Sequence, residues 1–401
     1  MAHCYVCNTE IRAENIYREH IILNALGGRL KSKDLFCKEC AEASYFHEID
    51  TALAEQLNPI GLLLGIKRHR KGNPSIKATM TDTGEQISLG KLGKPSVLMY
   101  KIEEVPTDGE SESIYISAPN EKQMRNALRK LQGDYPGLNV EEILKSTTKE
   151  KFTFSEPVQF HHEIGGEKLF RAICKMAIGF YLSCGGSSDY IVHLIPYLKG
   201  EQAHRCVQFF YPDSSTAYDG EQLKVFHKLY FRGNPSESIL FAYVELFSTF
   251  KYIILLSDNY TSEDIQKSYI FNVIDRTIVE ASQSFELSRM DILSILKNSV
   301  DQDSITNSLD TLYEGIHERN ERQAFNTQVS LIVDEYCKNL PEGTSPTEQM
   351  LMELAKRLAT EFVLVLHKHE LVQATQSNNP DDWLALLEGG ESEPNHSSVD
   401  A

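Results

Sequence analysis

Apolar positions in the early chain fall at Phe46, Ile49, Leu53 and Leu57, a three-and-four spacing that predicts a helix with one buried face. Asn58-Pro59 is expected to end it. "GLLLGIKRHRKGNP" then reads as a basic loop. From residue 75 the period shortens. "IKATMTDTGEQISL" alternates around Asp82-Thr83-Gly84, as a hairpin does, and "SIYISAP" reads as a strand. "NEKQMRNALRKLQG" predicts a helix capped by Asn120. "GGEKLFRAICKMAIGFYLSCGG" predicts a largely buried helix between glycine pairs. "RCVQFFYP", "VFHKLYFRG", "SILFAYVELFSTFKYIILLSDNY" and "QKSYIFNVI" supply Val, Ile, Tyr and Phe at strand spacing, some long enough for central strands.

Beyond about residue 303 the pattern turns helical. Phe325, Val329, Ile332 and Tyr336 form one stripe, and Leu351, Leu354, Leu358, Phe362 and Val365 form a second. "TSPTEQ" between them offers Ser345 as cap, Pro346 at the first helical position and Glu348 to close a capping box. The segment 375–401 is polar and acidic, apart from "DDWLALLEG" with Trp383, and is expected to be mobile. The expected class is α+β. It comprises a small N-terminal module (1–66), a mixed α+β middle domain (75–300), a helical region (301–374) and an acidic tail (375–401).

The chain has 401 residues and a formal charge of −17, which at first argues against nucleic acid. Its distribution changes that reading. Residues 1–77 carry 11 basic against 9 acidic side chains, and residues 301–401 carry 6 against 19. One end therefore admits contact with phosphates, while the acidic end reads either as a surface for a protein partner or self-association or as a cover that keeps the other end from nucleic acid. No apolar run reaches membrane-spanning length. No leader is read at "MAHCYVCN", so a reducing, cytoplasmic setting is expected, with cysteines as thiols or metal ligands.

Four of the eight cysteines form two Cys-x-x-Cys pairs, Cys4/Cys7 and Cys37/Cys40. Such turns place paired thiolates at the distance tetrahedral zinc needs, and four sulfurs leave no position open for water. The plainer alternatives are core thiols or a redox pair. Cys174, Cys184, Cys206 and Cys337 lie in apolar contexts and are expected in the core. Between the pairs stand Glu19-His20 and Gly27-Gly28-Arg29. A carboxylate beside an imidazole suits binding of a hard divalent ion together with proton abstraction from water, and a basic glycine loop suits approach to a phosphate backbone. The plain reading is an exposed Glu-His pair before a turn. His161-His162 reads as a strand end beside a turn. The run Lys67, Arg68, Arg70 and Lys71 is either a solvated loop or a phosphate contact.

The N-terminal stretch resembles the HNH endonucleases of the ββα-metal type. The subgroup concerned reads C-x-x-C, then E-H-I-I-P-x-A-L-G-G-R, then C-x-x-C-N, then a helix ending near I-D. Here the matching residues are Cys4-x-x-Cys7, "EHIILNALGGRL", "CKECAEASYFHEID" and Ile49-Asp50. The resemblance implies a structural zinc on Cys4, Cys7, Cys37 and Cys40. It implies His20 as general base, Glu19 as ligand of a catalytic magnesium or manganese, and Asp34 in an orienting role. DNA is the implied partner and phosphodiester hydrolysis the implied reaction, with restriction or anti-phage defence as context. Two positions depart: Leu23 replaces the usual proline, and Ala41 replaces the residue that supplies a second ligand from the helix. Glu42 or His47 fills that place only if the helix register shifts. The alternative is a degenerate, zinc-stabilised module that binds DNA or a partner without cutting it.

Overall fold

The computed structural model describes residues 2–68, 74–106, 112–148, 158–212, 223–281, 283–298, 302–338, 340–341 and 343–366. Arg70, Lys71 and the acidic tail with Trp383 lie outside them. The chain divides into two compact units, 1–320 and 321–401.

The first unit opens with a short ribbon, β1 (Glu19–His20) paired antiparallel with β2 (Lys31–Ser32). Three helices follow: α1 (Lys38–Ala41), α2 (Ser44–Gln56) and α3 (Asn58–Leu63). Phe46, Ile49 and Leu53 are the buried face of α2, as their spacing requires. Asn58-Pro59 ends α2 and also begins α3, because proline lacks the N–H that a first helical turn leaves unpaired.

Next come β3 (Ile76–Met80), β4 (Gln86–Leu89) and β5 (Pro95–Val97), the hairpin β6 (Lys101–Pro106) and β7 (Glu112–Ser117), and helices α4 (Glu121–Asp134) and α5 (Val140–Ser146). β8 (Val158–Gln159) returns to pair with β3. Asn120 caps α4 by accepting from the Gln123 N–H.

The main sheet is antiparallel and six-stranded. It contains β9 (Val207–Phe209), β10 (Phe226–Asn234), β11 (Ile239–Leu246), β12 (Phe250–Ser257), β13 (Ile265–Asn272) and β14 (Thr277–Ile278), in the order β14-β13-β10-β11-β12-β9. Every residue of β11 is buried. Its side chains alternate between two cores: Leu240, Ala242, Val244 and Leu246 in one, Ile239, Phe241 and Tyr243 in the other.

The second of these cores is covered by α8 (Arg289–Lys297). The first is covered by α6 (Glu167–Ser183), which is buried nearly all round, followed by the short α7 (Ile195–Lys199). That same core continues without a break through Cys4, Phe36, Cys37, Phe46, Ile49 and Leu53. Residues 1–66 thus share their apolar interior with α6 and the sheet.

α9 (Gln302–Lys338) begins in the first unit, where Leu312 and Ile316 are buried. The second unit contains its end and α10 (Glu348–Leu366), with Arg357 paired to Glu335 at 3.0 Å. The cap of α10 differs from the sequence expectation: the Thr347 hydroxyl accepts from the Met350 N–H, two residues after Ser345. Cys337 is exposed and Cys184 half-buried, whereas Cys174 and Cys206 are in the core as expected. Cys337 stands one residue from the end of α9, beyond its buried stripe. Among the described residues no helix is long and apolar enough to cross a membrane.

Candidate metal centre and the cavity beside it

The four N-terminal cysteines converge. The first pair sits on a turn in which the Asn8 N–H bonds the Cys4 carbonyl at 2.8 Å and Asn8 takes a left-handed φ of 59°. The second pair brackets the first turn of α1, with Cys37 at its N-cap and Cys40 within it. A bridge between Ile16 and Cys37, and the Tyr5 N–H bonded to the Leu35 carbonyl, bring the two turns together. All four sulfurs lie within 4.8 Å of one another.

Their proton affinities diverge. Burial works against ionisation of Cys7, yet hydrogen bonds with Thr9 and the neighbouring thiols bring it down to about 6. Burial and the adjoining sulfurs push Cys40 up. Four touching sulfurs do not all ionise without a cation, and a soft divalent metal in tetrahedral geometry is the cation this donor set fits.

Glu19 ends up buried and His20 half-buried on β1. Past them, the Leu23–Gly28 turn reverses the chain. Gly27 takes a left-handed φ of 84°, and a Cβ on Gly28 would lie 2.3 Å from the Ile22 carbonyl oxygen, so only glycine fits there. The turn is tied to the sheet through His227 of β10. Its Nε2–H donates to the Leu26 carbonyl at 2.9 Å, and its Nδ1 accepts the Phe247 N–H at 3.2 Å. Complete burial lowers His227 to about 4, so the ring is neutral. Arg29 is exposed beyond the turn, with Nη1 3.5 Å from the Arg276 carbonyl.

Glu19 and His20 line a cavity of about 10 Å³ together with Phe36, Asp50, Lys175 and Met176. Asp50 comes from α2 and Lys175 from α6. The Lys175 Nζ is 2.7 Å from Glu19 Oε1 and 2.7 Å from Asp50 Oδ2. It also lies 5.1 Å from the Phe46 ring centre and 5.8 Å from that of Phe36, within cation–π range. Burial disfavours the charge of Lys175, but Asp50 and then Glu19 hold the ammonium above its ordinary value. Burial raises the Glu19 carboxyl; Lys175 opposes that rise and Asp50 adds to it.

The remaining sequence candidates lie elsewhere. Glu42 and His47 are exposed, and neither lines the cavity; the helix carboxylate that does is Asp50. α1 stops at Ala41 and α2 starts afresh at Ser44, so Glu42 falls in the joint between them. Asp34 is exposed in the loop after β2, where its backbone N–H bonds the Ser32 hydroxyl. Lys67 is exposed. Arg68 is half-buried, donating to Asn58 Oδ1 at 2.7 Å, and burial lowers its proton affinity. His161 pairs with Glu163 on the surface, and His162 is packed between the Gln56 carbonyl and the Tyr313 hydroxyl, a structural role.

Lys175 was not among the sequence candidates. Its signal is a lysine within "FRAICKMAIGFYL", where a buried helix has no need of a charge.

Comparison of the chain with curated proteins and with solved structures gives no match. Residues 4–58, which contain the four cysteines, Glu19, His20 and Asp50, match the family model of the HNH endonucleases.

Proposed function

We propose that the protein acts on nucleic acid through residues 2–66, a zinc-bound module of HNH type that grips the phosphate backbone of DNA. The observation that carries this reading is the coincidence of the family match over residues 4–58 with the four-sulfur cluster inside it. Cys4, Cys7, Cys37 and Cys40 would hold zinc, which supplies folding energy to a segment with little core of its own. The surface charge supports the partner. Along residues 15–38, Arg18, Arg29, Lys31, Lys33 and Lys38 are exposed against one exposed acid, Asp34. With Lys67 they are the side chains that would contact phosphates.

Hydrolysis of the phosphodiester is the second reading. His20 supports it, since the imidazole lines the same cavity as two carboxylates and would serve there as the general base. Such chemistry uses a divalent ion. Glu19 and Asp50 are hard oxygen donors of the right kind. However, their facing oxygens are both bonded to Lys175, and the cavity has room for about one water. Magnesium requires about six ligands in near-octahedral array. The arrangement does not fit the ion.

The test uses zinc-loaded full-length protein. Binding to a short labelled DNA duplex is measured across salt concentrations, and plasmid nicking is measured with magnesium or manganese. Salt-dependent binding, with a slope that falls by about 1 for each of Lys31→Ala and Lys33→Ala, supports the grip. Binding that ignores salt and both substitutions refutes it. Nicking that disappears in His20→Ala establishes the endonuclease reading instead.

A further inference from the structure

We propose that Lys175 is the resident cation of the Glu19–Asp50 pair, standing where a divalent ion would bridge those carboxylates, so that the protein as folded excludes such an ion. A cation that joins Glu19 of β1 to Asp50 of α2 through their facing oxygens would sit between Oε1 and Oδ2. The Lys175 Nζ is there, at 2.7 Å from each. Lys175 is 7% exposed as a residue, and its ammonium is backed by the rings of Phe46 and Phe36. Two carboxylates and two aromatic faces thus surround it, and Ala172, Met176 and Gly179 of its own helix close the cavity.

The lysine is not easily set aside. Its helix is buried on nearly every side, and withdrawing one charge from a buried cluster strands the others, at several times the cost of losing a surface pair. A divalent ion arriving at the same place would meet an ammonium in contact at low dielectric. Ala41 agrees with this assignment, since the α1 end offers no further donor. Lys175 is a positioning residue in these terms: it fixes Glu19 and Asp50, and through β1 it fixes His20. It also makes the cavity a joint product of residues 1–66 and α6.

The inference concerns the cavity alone and holds whether or not the module binds DNA. Its test is therefore metal binding. Zinc-loaded full-length protein is titrated with manganese, and free ion is read by electron paramagnetic resonance. Wild type is expected to take up no manganese at this pair. Lys175→Met, which keeps most of the side chain's length without its charge, is expected to bind one ion per chain, at least about tenfold tighter than any residual uptake by wild type. Adding Asp50→Asn should abolish that site. Thermal melting gives a second readout: Lys175→Met should melt lower than wild type without manganese and recover with it. A wild-type manganese site that Asp50→Asn removes overturns the proposal, and needs no lysine variant to fold. A folded Lys175→Met protein that binds no manganese overturns it equally.

Discussion

His227 turns acidification into a measurable loss of stability. The ring is fully buried between β10 and the glycine turn, and both nitrogens are used. A proton added to Nδ1 would eliminate the acceptor for the Phe247 N–H and place a charge in the core. The folded pKa is about 4 against an ordinary value of 6.5, so the shift is a depression. The unfolded chain therefore takes the proton first. The stability contributed by the neutral ring is fully present above pH 6.5 and is lost as pH falls toward 4. At about 1.4 kcal/mol per pKa unit, the loss is about 2 kcal/mol by pH 5 and about 3 kcal/mol in full. The measurement is urea unfolding of zinc-loaded protein near pH 7 and near pH 5, for wild type and His227→Gln. Glutamine offers an acceptor and a donor but does not titrate. Thiol protonation and zinc release affect both proteins and cancel in the difference. Wild type should lose about 2 kcal/mol more than the variant over that interval. Equal losses would mean that His227 titrates as in water, and the reasoning from burial would fail.

Cys37→Ser should cut zinc content sharply and open residues 2–66 to protease, because three sulfurs no longer close the tetrahedron; mass spectrometry under native conditions and limited proteolysis check it. Gly28→Ala places a Cβ against the Ile22 carbonyl oxygen and should lower stability by about 2–3 kcal/mol in urea unfolding. Phe46→Ala removes a fully buried ring that packs on Phe36 and under Lys175. It should cost about 3–5 kcal/mol, and a loss below about 1 would show that the shared core does not pass through this point.

The elements governed by local periodicity could be read from the residues themselves. The two-residue period of "ILFAYVEL" and "FKYIILLS" gives central strands because alternate side chains enter different cores. The Cys-x-x-Cys pairs announce their cluster because the turn itself sets the sulfur spacing. What stayed hidden depends on contacts distant in sequence. Nothing near Asp50 shows that it faces Lys175, 125 residues on. The resemblance points to Ala41, Glu42 or His47 for a helix ligand, but Glu42 falls in the break between α1 and α2 and His47 on the exposed face of α2. The Thr347 cap is ambiguous for a smaller reason, since Ser345 and Thr347 both satisfy the local rule, and it is the Thr347 hydroxyl that accepts from the Met350 N–H.

The distance in sequence between Asp50 and Lys175 also imposes an order of assembly. A ribosome that has delivered the chain only as far as residue 150 has released both cysteine pairs, β1, α2 and the glycine turn, but not the lysine. The nascent chain can therefore capture zinc early, while its Glu19 and Asp50 have no counter-charge and the apolar side of α2 has no cover. The cavity closes only when α6 emerges and docks, bringing charge and cover in one helix. Synthesis would thus pass two points, a metal first and a lysine later, and a chain cut short between them carries the residues that match the HNH model without the cavity that Glu19, His20 and Asp50 line.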